Sequence, residues 1–309
     1  MNDWRIKAVF MLLSCLVPLG VLIFRGALFP VLRDMQSIKT SQNMPYRHIH
    51  SLKIMTWNME NLFMSTPFLT MKMKRIARII AASDPDIVIM QEVGSLAVLE
   101  SLRPLLRGQY HRAITLPDRD PRGIQSGIIS KIKMNGKPSL AAGPGKRSIL
   151  IATFETACGL LTVMGVHWPS QRNPFGARLR QSIALKQVVQ DYQARQMPVV
   201  IAGDFNVAVH EERPLFNQLQ DQFNISHRIS CRSCPGTYYF RGQWSFLDAI
   251  LVSKWGPWFL REDSVDVSMK MPGQVGSRGQ PLKFGVSKGV SDHLPLVAKL
   301  NFKAELCRL

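Results

Sequence analysis

The sequence predicts an α/β chain folded as a four-layer α/β sandwich, two packed mixed β-sheets flanked by helices, with an N-terminal transmembrane helix. Three observations carry the prediction. Short runs rich in Val, Ile and Leu recur along the chain with only short helical segments between them, the pattern of two sheets covered by helices. Apolar residues make up 46% of the 309 residues, enough for a sizeable core. Residues 8–24, AVFMLLSCLVPLGVLIF, carry no charge and are bracketed by Lys7 and Arg25.

That first stretch is close to the roughly 20 residues needed to span a bilayer. Continuing it to Leu32 costs one arginine, whose stem can carry its charge to the interface. Residues 1–36 therefore read as an uncleaved membrane anchor. A cleaved signal peptide is the rival, but no small-x-small site is followed by a polar region. Leu12-Leu13-Ser14-Cys15 loosely resembles a lipoprotein cleavage box, yet the residues after Cys15 stay apolar. Basic residues flank both sides in similar number, so the orientation stays open. Residues 37–51, rich in Ser, Gln, Asn and His, form a linker, and residues 52–303 form the main domain.

From Leu52 the signals alternate. Leu52–Trp57 reads as a strand, followed by the loop NMENLF. Met71–Ala82 is an amphipathic helix with Met73, Ile76, Ile79 and Ile80 on one face and its lysines and arginines opposite. Asp84-Pro85-Asp86 ends it, and Ile87–Met90 is a buried strand closed by Gln91 and Glu92. A helix over Ser95–Leu106 follows, then strands near His111–Thr115 and at Ser126–Ser130, Ile149–Phe154 and Leu161–Val166. A helix over Arg178–Arg195 leads into MPVVIAGDFNV, whose Val199, Val200 and Ile201 form a buried strand ended by Gly203. Strands at Tyr238–Phe240, Phe246–Val252 and Leu294–Leu300 complete the set.

Several strands end in chemically capable residues. Asn58 follows KIMTW, Glu92 follows DIVIMQ, His167 follows TVMGV, and Asp204 and Asn206 follow VVIAG. Asp248 lies in SFLDAILVS, and Asp292 and His293 precede the last strand. Singly, each has a bland reading: a cap or surface charge for an acid, an Asx turn for Asp204 and Asn206, a packed ring beside Trp168 for His167. Six such positions at successive strand ends are hard to explain as caps, and strand carboxyl ends are where α/β sheets bind ligands. Three or more carboxylates make a hard, oxygen-rich site suited to Mg²⁺ or Mn²⁺. Two histidines add proton transfer near neutral pH. The set reads as a metal-assisted hydrolase of a phosphoester.

TWNMENLF, DPDIVIMQE, RGIQSGIIS, GVHWPS, AGDFN, LDAILVS and SDHLP, in this order, resemble the endonuclease/exonuclease/phosphatase superfamily, whose deoxyribonuclease-I-like fold is the sandwich expected here. The resemblance runs from about Lys53 to Leu300, and HWPS followed by Arg178 and Arg180 is most similar to bacterial members. It implies Glu92 as principal metal ligand with Asn58 beside it, and Asp292 within reach of a metal. Asp204 would activate or orient the attacking water, and Asn206 would hold a phosphate oxygen. Asp248 would orient His293, which would act on the water or on phosphoryl charge. His167 would serve as acid or phosphate donor. Arg122 would clamp the phosphate from an RGID-like motif whose aspartate is replaced here by Gln125. With the bacterial likeness, the anchor implies an inner membrane with the domain in the periplasm; a cytoplasmic or secreted domain is the alternative.

Charge bears on the partner. Lys and Arg outnumber Asp and Glu by 39 to 21. Residues 1–40 hold five basic and two acidic groups, so an excess of 15 positive charges remains beyond them. That excess points to nucleic acid as substrate, or to an anionic lipid face. A membrane-lipid phosphodiesterase or phosphatase is the second reading, favoured by the anchor, with Trp255, Trp258 and Phe259 as a small apolar lip or as core packing near a sheet edge. A non-catalytic binding member of the fold is the third. No protein partner follows from the sequence. The five cysteines are too few and scattered for a disulfide framework. Cys231 and Cys234, with His227 nearby, lack a fourth zinc ligand and read as a local disulfide or two thiols.

Overall fold

The computed structural model describes residues 51–106, 110–231, 234–267, 274–285 and 288–307. The expected anchor and nearly all of the linker lie outside the described residues, among which no helix is long and apolar enough to cross a membrane. In chain order the elements are β1 (Ser51–Leu62), α1 (Leu69–Ser83), β2 (Ile87–Val93), α2 (Leu96–Leu102), β3 (Arg112–Thr115), β4 (Gln125–Ser130), β5 (Met134–Ala141), β6 (Ile149–Thr156), β7 (Gly159–His167) and α3 (Phe175–Ala194). There follow β8 (Val199–Asp204), α4 (Val209–Phe216), β9 (Phe223–Ile225), α5 (Ser226–Ile229), β10 (Tyr238–Phe240), β11 (Gln243–Ser245), β12 (Asp248–Ser253), β13 (Trp258–Val267) and β14 (Leu296–Phe302).

Two six-stranded sheets result, ordered β13-β14-β1-β2-β4-β3 and β5-β6-β7-β8-β12-β9, with β10 and β11 as a separate hairpin. Each large sheet is mixed: β1 and β2 run parallel, as do β7 and β8, while the other pairs are antiparallel. Period-two alternation explains the layers. Ile54, Ile87, Ile89 and Ile128 of one sheet meet Leu150, Val163, Val200 and Ile250 of the other in a shared core. The intervening Met55, Val88 and Met90 face the other way, onto Ile76, Ile79 and Ile80 of α1 and Leu99 and Leu102 of α2. On the second sheet, Met164, Val199 and Ile201 take Leu185 and Val189 of α3 and Leu215 and Phe216 of α4. Helix, sheet, sheet, helix is the expected order of layers.

Several details depart from expectation. The loop NMENLF belongs to β1, whose pairing with β2 shifts register between Asn58 and Leu62 as Glu60 and Asn61 take positive φ. Lys72 is not on the solvated face of α1: it is buried, its Nζ donating to the Glu60 carbonyl at 2.7 Å. Strands β5, β9, β11 and β13 and helices α4 and α5 are additional; β5 (MNGKPSLA) and β13 (WFLREDSVDV) are edge strands, too polar to stand out by apolar periodicity. Trp258 is buried on Phe302 and Trp255 packs on Phe223, the core packing near a sheet edge that is the other reading of these aromatics.

The cysteines need a correction. Cys158, in the turn between β6 and β7, is bonded to Cys307 across a sequence separation of 149. Such a bridge joins segments that only the folded sheets bring together, so spacing does not reveal it. Cys231 and Cys234 form the local disulfide. His227 instead contacts Glu212 at 3.2 Å and stacks on Phe246.

Candidate active site at the rim of the sandwich

Topology gathers the polar strand ends at one rim. Because β1 and β2 are parallel, Asn58 and Glu92 leave their sheet on the same side. Because β7 and β8 are parallel, His167 and Asp204 stand opposite each other in register. Antiparallel β12 then sets Asp248 beside Asp204. Antiparallel β14 begins next to Thr56, so Asp292 and His293 arrive at the Asn58 end of β1. The isolated bridge between Tyr238 and His293 ties β10 to the same place.

Side chains converge there. Asn58 Nδ2 donates to Asp204 Oδ2 at 3.0 Å. The backbone N–H of Asn206 donates to Asp204 Oδ1 at 2.8 Å, and one amide proton of Asn206 goes to the Trp168 carbonyl at 3.0 Å. His293 Nδ1 lies 2.7 Å from Asp248 Oδ2, and its Nε2 lies 4.0 Å from Asp204 Oδ2. His167 Nε2 faces Asp204 Oδ2 at 3.6 Å and Glu92 Oε1 at 3.9 Å. Glu92 sits at a bulge between β2 and β4 with φ of 60°, and its Oε2 accepts from the Asn61 N–H at 2.9 Å. Left-handed backbone at a non-glycine bulge is the kind of local strain that re-aims a side chain at a site. The His293 carbonyl is pinned by Trp57 Nε1 and Gln274 Nε2, each at 2.9 Å.

Electrostatics separate the two histidines. Burial alone lowers the pKa of His293, but the Asp248 carboxylate, with Asp204 and Asp292 beyond it, raises it to about 10. His167 is held well below its ordinary value by burial, then by the cations Arg147, His293 and Arg122. Burial and the neighbouring Asp248 raise Asp204 to about 7, against the opposing pull of His293 and of the hydrogen bonds from Asn58 and Asn206. Asp204, Asp248 and His293 offer ligand atoms within 4.8 Å of one another, all buried. Asp248 Oδ1 and Glu60 Oε2 are buried with no hydrogen-bond partner among the described residues. Hard oxygen donors with spare lone pairs, one carboxyl held near neutrality by burial, suit an added divalent cation.

The outlying predicted residues are placed differently. Asp292 Oδ2 lies 3.2 Å from Lys283 Nζ, which also reaches Glu60 Oε1 at 3.3 Å. Arg122 lies at the exposed margin, its Nε 3.3 Å from Asp120 Oδ1. Gln125, in place of the family aspartate, accepts from Thr115 Oγ1 at 2.8 Å. Sequence reading missed Glu60, Asp120, Arg147, Tyr238 and Lys283. Of these, Glu60 had a signal, two residues beyond Asn58 in the same motif; Arg147 lies in the Gly- and Pro-rich connection AAGPGKRS, ahead of β6 and not at the close of an apolar run. Beneath the rim, Arg178 of α3 forks onto Glu211 of α4, Nε to Oε2 at 2.8 Å and NH2 to Oε1 at 2.6 Å. Its NH1 donates to the carbonyls of Pro169, Ser170 and Asn173, clamping the loop that follows His167.

No curated protein sequence matches the chain. Solved structures do. Truncated Caenorhabditis elegans TDP2 has a TM-score of 0.62 at 18% identity, covering 81% of this chain and 97% of that one. The human Nocturnin catalytic domain with bound sulfate anion has a TM-score of 0.61 at 20% identity, covering 82% and 95%. An endonuclease/exonuclease/phosphatase from Beutenbergia cavernae DSM 12333 gives 0.61 at 20% identity, covering 82% and 72%. At such identities the likeness speaks for the fold alone. The sequence itself goes further: residues 55–293, which span every strand end of the rim, match the Endonuclease/Exonuclease/phosphatase family, and the chain belongs to that family.

Proposed function

We propose that this protein is a membrane-anchored nuclease, a phosphodiesterase that hydrolyses DNA or RNA with Mg²⁺ or Mn²⁺. Family membership makes it a divalent-metal-dependent phosphoesterase. The observation that carries the reading is the buried cluster of Asp204, Asp248 and His293, with Asn58 on Asp204 and His167 facing it. Glu92 and Asn58, with Asp292 nearby, would hold the ion, whose charge offsets that developing on the phosphoryl oxygens.

The chain's own groups account for the rest. Asp248 orients His293 through Nδ1, leaving Nε2 turned toward Asp204 and the reacting space. Asp204, poised near neutrality, can take a proton from an attacking water. Asn206 and His167 offer N–H groups to phosphoryl oxygens, and Arg122 meets the flanking phosphate from the margin. The Nocturnin domain of like fold was solved with a sulfate anion, a tetrahedral dianion of phosphate shape.

The 15 excess positive charges favour a polyanion as substrate. Two disulfides among the described residues favour an oxidising compartment such as the periplasm, in keeping with an anchor over residues 1–36. Anionic lipid is the second reading, because basic groups near a bilayer also hold a protein on its surface. The test is a substrate panel on the full chain in detergent: plasmid DNA, RNA, sphingomyelin vesicles and phosphoinositide vesicles, each with Mg²⁺, Mn²⁺ or chelator. Metal-dependent cleavage of DNA or RNA is expected. Turnover confined to lipid would replace the nuclease by the lipid reading, and no turnover with any metal would leave a binding protein.

A further inference from the structure

His167 and Arg147 make a contact whose chemistry has one consistent assignment of protons. Arg147 NH1 lies 3.1 Å from His167 Nδ1, and both residues are buried. A guanidinium has five N–H donors and no acceptor, and it stays protonated in proteins. His167 Nδ1 must therefore present its lone pair, which puts the ring proton on Nε2. That assignment agrees with the other side of the ring, where Nε2 faces two acceptors, Asp204 Oδ2 and Glu92 Oε1. A ring turned over would set a C–H against the guanidinium and lose both relations.

Arg147 is itself held. Its NH2 lies 3.2 Å from Asp120 Oδ2, and Asp120 Oδ1 accepts from the Arg122 backbone N–H at 2.8 Å and from Arg122 Nε at 3.3 Å. Burial raises the Asp120 carboxyl, but those hydrogen bonds and the charge of Arg147 prevail and keep it below its ordinary range, as an ionised anchor for both arginines. A relay thus runs from Arg122 at the exposed margin through Asp120 and Arg147 to His167 in the pocket.

We propose that Arg147 is a positioning residue that locks His167 as the neutral Nε2–H tautomer, so that His167 serves the phosphate as a fixed hydrogen-bond donor and not as a proton source. The donor's purpose rests on the phosphoesterase reading; the tautomer does not, because it follows from contacts present without substrate.

Nitrogen-15 NMR of the full chain in detergent, labelled at histidine and kept in chelator, reads the tautomer directly, with His167→Gln identifying the resonances. The expected spectrum gives His167 a pyridine-type Nδ1 and a pyrrole-type Nε2. Arg147→Met alone would take one of two cationic partners from the buried Asp120, so it is paired with Asp120→Asn to keep the fold. That double variant is expected to lose the single tautomer and to lower kcat by about 10²-fold, the scale of a lost preorganised donor, with KM little changed. Arg147→Lys keeps a cationic donor and is expected to restore the tautomer and most of kcat. A protonated Nδ1 in the wild type, or an unaltered tautomer in the double variant, overturns the proposal. The expected tautomer in a protein that cleaves no phosphodiester would support the lock and fail the phosphoesterase reading instead.

Discussion

His293 and Asp248 stand 2.7 Å apart with both side chains sealed from solvent, and this pair governs the charge of the pocket. In the metal-free protein His293 is raised to about 10, against 6.5 for the free imidazole. A group whose folded pKa is raised stabilises the fold fully below its unfolded value and loses that contribution as pH climbs through the folded one. Denaturant midpoints measured in chelator should therefore fall between about pH 6.5 and pH 10 on this account, and Asp248→Asn should flatten that fall. Activity tests the same residues more directly. His293→Ala and Glu92→Ala are each expected to lower kcat on a phosphodiester substrate by at least about 10²-fold, the scale of a lost catalytic group. Full activity in either variant would remove that residue from the mechanism.

Strands and helices carry these residues, and two close fits show what holds them. Gly203 lies in β8, one residue before Asp204, where a Cβ would fall against the Val166 carbonyl of β7. Gly203→Ala should force the two parallel strands apart beside the site, at about 1–3 kcal/mol of stability. Arg178 and Glu211 join α3, α4 and the loop after His167. Glu211→Ala leaves the guanidinium buried without its carboxylate and should cost about 3–5 kcal/mol by chemical denaturation. At this scale the sequence is readable wherever an element ends in the reacting pocket, because a polar residue closing an apolar run breaks a pattern that packing would otherwise extend. Asn58, Glu92, His167 and Asp204 all announce themselves that way. Arg147 and Lys283 do not: they come from connections, and only the meeting of distant segments gives them partners. Edge strands are obscure for a related reason, since β5 has one neighbour and an exposed flank and so little apolar periodicity to show.

For the whole molecule, the excess of positive charge makes a kinetic prediction: cleavage of nucleic acid should fall steeply as salt rises, whereas a neutral-lipid substrate would show little dependence. The Cys158–Cys307 bridge closes a very long loop, and Cys307→Ser should lower stability by about 2–5 kcal/mol. The strand order of the first sheet has one more consequence. β14 lies between β13 and β1, and His293 enters just ahead of it. While the chain is still being made, β1 therefore waits with one edge unpaired for a partner some 240 residues downstream, and the pocket lacks its imidazole until that partner exists. The rim is therefore completed only late in synthesis, because the strand that closes the sheet also brings His293 to it.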